Sequence, residues 1–230
     1  MKLLTLDTST NACSVAVTIG DRLIAELLVN LTGQQSSRII EGVDAVLRHA
    51  RVSVEELDGF GVAVGPGSFT GVRIGVATVK GLALAFGKPV AGFSSLAMLA
   101  MNVPSPAVPV CPMFDARKKE VYAALYEWRD APVPLLPDCV MAPSLFIEKV
   151  EGPAIFIGDG AVAYRDIILD RLGQDAIFPP FPCHQPSAAR GAFLTRRALL
   201  RGETIPLHEL APVYIRPSEA ELAKIVKDRV

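Results

Sequence analysis

Gly65-Pro66-Gly67-Ser68-Phe69-Thr70-Gly71-Val72-Arg73-Ile74-Gly75 follows a short apolar run, Phe60 to Val64, and leads into a long helical pattern that ends near Gly87 and Pro89. Apolar run, glycine loop and helical period read together as strand, tight loop, helix. Glycine at 65 and 67 permits positive φ, Pro66 stiffens the turn between them, and Ser68 or Thr70 can cap the first free N–H groups of the helix. Such a loop suits an anion, but its spacing matches neither common phosphate loop. Gly71 comes one residue late for G-x-G-x-x-G, and no Lys-Ser/Thr pair follows it as a Walker motif requires. Within the helix, Gly71, Gly75, Ala77, Gly81 and Ala85 place small side chains on neighbouring faces. Glycine inside a helix costs about 1 kcal/mol against alanine, so these positions need a compensating contact. That contact is either the helix's own sheet or a partner helix.

Upstream of the loop, Leu3 to Leu6 reads as a strand and Asp7-Thr8-Ser9-Thr10-Asn11 as a turn of residues that bond their own backbone. Cys13 to Ile19 and Leu23 to Val29 are two further strands around a Gly20-Asp21 turn. From Gln34 the period changes, and Ile39, Ile40, Val43, Val46, Leu47 and Ala50 share one helical face. Ser53-Val54-Glu55-Glu56 is a capping box that opens a short turn. Downstream, Val90 to Phe93 is a strand, and Ser94 or Ser95 caps a further helix. This order predicts a sheet with a hairpin-joined start and a parallel finish.

Asn102 to Pro109 breaks the pattern with prolines and a serine and predicts a linker, dividing the chain into lobes 1–103 and 104–230. The second lobe echoes the first: Val108 to Phe114 is apolar, Asp115-Ala116-Arg117 turns, and Glu120 to Trp128 alternates as a strand. A helix from Ser144, a strand from Ala154 to Ile157, the paired glycines of Gly158-Asp159-Gly160, a helix from Tyr164, a helix from Ser187 to Gly202 and a final strand from Val213 to Arg216 complete it. This lobe is proline-rich and is expected to hold fewer elements than its twin.

With 230 residues, half of them apolar, and a formal charge of −1, the chain suits a globular protein without a whole-chain field for nucleic acid or anionic lipid. Cys13, Cys111, Cys139 and Cys183 form no C-x-x-C and are expected to be reduced core thiols of a cytosolic protein. The start shows no basic segment with a cleavage site, and the apolar stretch up to Phe86 is interrupted by Lys80 and rich in glycine, poor material for a membrane span. His49, His184 and His208 are scattered, with no H-x-x-H or H-x-x-x-H spacing, so neither a metal site nor a triad is expected. Arg190, Arg197 and Arg201 line one face of the Ser187 helix with Arg196 beside them, as a solvated face or as a docking surface for an acidic partner or tRNA.

The string GPGSFTGVRIG, together with LDTSTNACSVAV near the start and APVYIR near the end, resembles the TsaB family, formerly YeaZ, a bacterial tRNA threonylcarbamoyladenosine biosynthesis subunit. Two halves that each open with strand, aspartate turn and strand also resemble the actin, sugar-kinase and heat-shock chaperone (ASKHA) superfamily, an α/β duplicated two-lobed fold of actin-like, ribonuclease H-like type, here with a reduced C-terminal lobe. In that superfamily the first turn reads Asp-x-Gly-Thr or close to it; here Ser9 stands at the glycine, and Asp115-Ala116-Arg117 also lacks one. The resemblance leaves Asp7, Thr8, Ser9, Gly65, Gly67 and Ser68 as candidate phosphate or nucleotide groups, without a self-contained ATP cleft. Asp7 would orient a metal-bound water or simply cap its turn.

What the resemblance implies is a non-catalytic subunit, free of cofactor and metal, for threonylcarbamoylation of the adenosine adjacent to the tRNA anticodon. Its partners would be the metal-bearing catalytic paralogue TsaD and the ATPase TsaE, and tRNA would be met through that complex. The helices carrying Ile39, Val43 and Leu47 and carrying Gly71, Ile74, Gly75 and Val79 would bundle with the equivalent pair of the partner, or of a second copy when the chain is alone. The alternatives are a small ATP-dependent kinase or phosphatase of the same fold, or a free-standing homodimeric interaction module.

Overall fold

The same five-stranded sheet occurs twice in the chain, whose structure, a computed structural model, describes residues 1–30 and 35–216. The first half contributes β1 (Lys2–Asp7), β2 (Ala12–Ile19), β3 (Arg22–Asn30), α1 (Gln35–Ala50), β4 (Gly59–Gly65), α2 (Phe69–Phe86), β5 (Val90–Ser94) and α3 (Ser95–Ala100). The second contributes β6 (Val110–Asp115), β7 (Val121–Trp128), β8 (Pro132–Met141), α4 (Pro143–Ile147), β9 (Ala154–Ile157), α5 (Asp159–Ala163), α6 (Arg165–Leu172), β10 (Ala176–Ile177) and α7 (Ala188–Leu200). The sheet orders are β3-β2-β1-β4-β5 and β8-β7-β6-β9-β10. In each, the first two pairings are antiparallel and the last two parallel. The duplicated plan is therefore complete at the level of strands.

Alternation and capping explain most of these elements. Leu4, Leu6, Val15 and Val17 meet Ile39, Val43, Val46 and Leu47 of α1 and Val72, Val76, Val79 and Ala83 of α2 in one apolar core. Ser68 caps α2, its hydroxyl accepting from the Gly71 N–H at 3.2 Å, and Gly87 closes the helix in the left-handed conformation at φ 62°. Ser94 caps α3 in the same way through the Ala97 N–H at 3.2 Å. Of the expected capping box at Ser53 and Glu56, one half forms: the Glu56 carboxylate accepts from the Ser53 N–H at 2.9 Å, while the Glu56 N–H donates to the Ser53 carbonyl at 3.2 Å.

Several expectations need correction. The C-terminal lobe is not short of strands: β8 runs ten residues despite Pro132, Pro134 and Pro137, because it lies at the sheet edge, where a missing N–H breaks no ladder. Its reduction lies in β10, two residues long, and in the short α4 and α5. The paired glycines of Gly158-Asp159-Gly160 open α5, with Gly158 as its N-cap. Ile40, placed on the apolar face of α1, is 58% exposed. Gln34, the expected start of α1, lies outside the described residues.

The boundary at 103 divides the two sheets but not their helices. α3 packs Leu96 and Leu99 into the C-terminal core beside Val110 and Phe114. α7 crosses back over β1, β2, β4 and β5. Gly61 and Gly191 permit this contact: a Cβ at Gly61 would land on the Thr195 hydroxyl, and one at Gly191 on the Phe93 ring. The segment after α7 then borders the N-terminal sheet. The Ile205 N–H donates to Val90 O at 2.9 Å and the Val213 N–H to Val64 O at 2.8 Å, so Val213 to Arg216 is a strap and not the strand expected there.

Candidate functional site

The two aspartate turns and the strap converge on a cleft of about 470 Å³ between the lobes. One wall begins at the β1–β2 turn. Asp7 is fully buried; its Oδ1 accepts the Ser9 N–H at 3.0 Å, while Oδ2 has no hydrogen bond. Burial pushes its carboxyl up to about 6, opposed by the nearby Ser9 hydroxyl and the backbone N–H groups of Ser9 and Thr8. The Ser9 hydroxyl lies close enough to ease the Asp7 charge, and within hydrogen-bond geometry it too lacks a partner.

The glycine loop is pressed onto this turn. The Ser68 N–H donates to Ser9 O at 2.7 Å, and the Thr8 hydroxyl donates to Gly71 O at 2.7 Å. A Cβ at Gly71 would fall on Thr8 O and one at Gly75 on Thr8 Oγ1. The Ser95 hydroxyl holds the Pro66 carbonyl from behind, next to the cis Gly65–Pro66 peptide. The small residues at 71 and 75 therefore serve close approach of α2 to its own β1–β2 turn.

The opposite wall is the β6–β7 turn, built differently. Asp115 Oδ1 accepts the Arg117 N–H at 2.9 Å, and Oδ2 pairs with the Arg117 guanidinium at 3.2 Å. Arg117, Lys118 and Lys119 all sit in the left-handed region, at φ 61°, 54° and 61°, a conformation that strains side chains with a Cβ. Asp159 Oδ1 accepts the N–H groups of Asp115 at 3.2 Å and Gly160 at 2.9 Å, and burial raises its carboxyl above the ordinary range.

The strap closes the rim. Tyr214 stacks on Phe69 with ring centroids 4.7 Å apart, and its hydroxyl accepts from Arg73 Nε at 2.6 Å. Arg216 reaches the other lobe, donating to Ala116 O at 2.7 Å and pairing with Glu120. Two motifs far apart in sequence, GPGSFTGVRIG and APVYIR, thus grip each other across the cleft mouth.

Of the candidate nucleotide groups, Ser9, Gly67 and Ser68 line the cleft, whereas Asp7, Thr8 and Gly65 lie behind its wall. Arg73, Arg117, Lys118, Tyr122 and Arg216 also line it and are not among the candidates read from the sequence; Arg73 and Arg216 could have been found from the two gripping motifs and Arg117 from the second aspartate turn, whereas Lys118 and Tyr122 carry no such signal. Of the candidate partner residues, Ile39, Val43, Leu47, Gly71, Gly75 and Val79 are buried within the N-terminal lobe, and only Ile74 is partly exposed. Contrary to the expectation of a partner seam, these six positions therefore pack within their own lobe. The open apolar side of the α1–α2 pair is instead formed by Ile40, Ala77, Gly81 and Leu84, with Leu84 74% exposed and nothing within 4 Å of a Cβ at Gly81.

The arginine face of α7 is largely paired: Arg196 with Asp21 and Arg197 with Asp130, both at 2.6 Å, and Arg201 with Glu203 at 3.9 Å. Among the described residues no group of His, Cys, Asp and Glu could hold a metal ion. His184 accepts from the Gly158 N–H at 3.1 Å through Nδ1, which leaves Nε2 to donate to Pro179 O at 3.0 Å.

Residues 32–223 match a family model described as TsaD, tRNA N6-adenosine threonylcarbamoyltransferase. The chain is 32% identical to the tRNA threonylcarbamoyladenosine biosynthesis protein TsaB of Bacillus subtilis over 96% of both chains. It is 28% identical to the Escherichia coli protein of the same name, again over 96% of both. Among solved structures, YeaZ from Pseudomonas aeruginosa superimposes with a TM-score of 0.80 at 31% identity, covering 93% of this chain and 99% of that one. Component A of the (R)-2-hydroxyglutaryl-CoA dehydratase of Acidaminococcus fermentans, at 12% identity and a TM-score of 0.53, shares the fold alone.

Proposed function

Because the chain belongs to the TsaB family of tRNA threonylcarbamoyladenosine biosynthesis proteins, we propose that it serves this modification in the cytoplasm as a non-catalytic subunit, paired with a TsaD-like catalytic paralogue and a TsaE-like ATPase. The observation that carries the non-catalytic reading is the state of the two aspartate turns. Backbone N–H groups in and beside them already have internal acceptors: Ser9 and Arg117 donate to their own turn aspartates, Ser68 to Ser9 O, and Asp115 and Gly160 to Asp159. A triphosphate cradle needs such groups unpaired and convergent. Asp7, sealed below the cleft, cannot orient a water in it.

The partner surface we assign is the outer face of α1 and α2. Ile40, Ala77, Gly81 and Leu84 leave apolar and small side chains exposed on these two helices, which suits two helices of a partner of the same fold. A family-model match described by the transferase's name supports a partner built on the same plan. Without the paralogue, the same face would join two copies.

Reconstitution tests this. The chain alone should neither hydrolyse ATP nor modify tRNA, and adding it to the paralogue, the ATPase and threonylcarbamoyl-adenylate should raise modification of an unmodified tRNA transcript at least tenfold. Modification that proceeds equally without the chain would defeat the reading.

A further inference from the structure

We propose that the interlobe cleft is a contact site for the sugar–phosphate backbone of tRNA, with a phosphate held between the N-terminal turn of α2 and the Arg117–Lys118 turn and the Phe69–Tyr214 pair beside it as a stacking platform. The inference rests on the reading above that the subunit works on tRNA, and adds the surface that meets it.

The cleft is a built site. Eighteen-residue α2 points its N-terminus into it through Ser68 and Phe69, which line the wall, and the helix end favours an anion. Independently, Ser9 also lines the cleft, is 1% exposed, and carries a hydroxyl without a hydrogen-bond partner. A buried hydroxyl left unpaired is unfavourable unless something supplies its bond. Arg73, on the same rim, bonds only to the neutral Tyr214 hydroxyl among the described residues, and Arg117, on the far rim, is 75% exposed although paired with Asp115.

The class of anion follows from which groups face the cleft. Enzymes that bind a free nucleoside triphosphate in such a cleft rely on backbone N–H groups converging on the phosphates. Here the N–H groups of Ser9, Asp115 and Arg117 are occupied within the turns, and what faces the cleft, besides the single helix end of α2, is side-chain cation, hydroxyl and aromatic ring. Long cations that take phosphate oxygens one at a time, next to rings on which an unstacked base can lie, are the recognition chemistry of RNA loops. Arg73 lies 5.8 Å and 5.3 Å from the Phe69 and Tyr214 ring centroids, extending that platform. The left-handed run at 117–119 keeps three consecutive cationic side chains on one tight turn at the mouth, and with a whole-chain charge of −1 this is a local feature, not a general basicity.

The test uses the complex reconstituted with the paralogue and an unmodified tRNA transcript, with binding followed by fluorescence anisotropy across a salt series. Arg117→Gln with Lys118→Gln should weaken tRNA binding about tenfold and flatten the slope of log affinity against log salt by about 1.4 to 1.8, the loss of two phosphate contacts. Arg190→Gln with Arg201→Gln on α7 should change neither. Both double variants should melt with the wild type, since these side chains are surface groups. Unchanged affinity and slope in the cleft variant, or a loss carried by the α7 variant instead, would overturn the inference. So would micromolar ATP binding to the chain that competes with tRNA, which would make the cleft a nucleotide site. A wild-type complex that binds no tRNA would instead refute the underlying reading of the subunit's role.

Discussion

The turns after β1 and β6 occupy the same place in two copies of one sheet, yet one is sealed and the other open. Asp7 is fully buried under the glycine loop and α2, with one carboxylate oxygen unpaired. Asp115 has a side chain 22% exposed and holds Arg117 in a strained cationic turn. The difference traces to the element that follows β4 or β9. After β4, Gly71 and Gly75 let an eighteen-residue helix close over Thr8. After β9, the five-residue α5 holds the start of the β6–β7 turn through Asp159 and the close approach of Gly160 to Phe114 and Asp115, and does not extend over the exposed side chains of Arg117, Lys118 and Lys119. One turn of the pair is thus packed under a helix and the other keeps its charged side chains at the surface.

The largest effect that would sharpen this contrast belongs to Asp7. Burial raises its carboxyl in the folded protein from 3.8 to about 6, so between these values the folded state keeps a proton that the unfolded chain has released. The favourable contribution is full below about pH 3.8 and is lost as pH rises through about 6, an amplitude of about 3 kcal/mol. Asp7→Asn keeps an acceptor for the Ser9 N–H and cannot ionise. It should melt higher than wild type at pH 8, with the two converging near pH 4. Melting curves that stay parallel from pH 4 to 8 would show that Asp7 is not sealed.

Next in size is Gly75→Val, whose Cβ would meet the Thr8 hydroxyl. Overpacking there should cost about 2 to 3 kcal/mol, seen as a lower melting temperature with oligomeric state unchanged by sedimentation. Lost pairing with an intact melt would return Gly75 to the partner seam.

The α2 outer face should behave in the opposite way. Leu84→Asp leaves a side chain already 74% exposed, so the isolated chain should melt normally while association with the paralogue weakens by about 2 kcal/mol, the scale of an interface anchor. Undiminished association by mass photometry would remove α2 from the interface. Smallest is Asp115→Ala: it removes an exposed ion pair and should cost about 1 kcal/mol or less in thermal melting. A loss as large as that of Gly75→Val would mean that the second turn is also structural.

Much of the first lobe could be read from residues alone, because its signals are local. Ser68 and Gly87 bracket α2, apolar alternation marks β1 and β2, and the repeat of strand, aspartate and strand after Pro109 points to duplication. Where the reading fails, tertiary placement decides. Pro132, Pro134 and Pro137 disguise β8, since nothing local says that a strand will lie at an edge. Val213 to Arg216 alternates like a strand but runs as a strap, joined to the sheet through single bonds such as that from Val213 to Val64. The seam residues 39, 43, 47, 71, 75 and 79 have the right spacing, but periodicity cannot tell a face on its own sheet from one on a neighbour. In the cleft, Arg73, Tyr214 and Arg216 become neighbours of the Asp115 turn only through the fold, beyond the reach of any spacing argument.

Calorimetric titration of the isolated chain with ATP and magnesium tests most directly whether this twin-turn architecture has ceased to be a nucleotide engine. Because Ser9, Ser68, Asp115, Arg117 and Gly160 already spend their N–H groups on internal acceptors, the account predicts no saturable binding at millimolar ATP and no release of phosphate. Micromolar binding at one site per chain would contradict it and make the cleft that of a kinase or phosphatase.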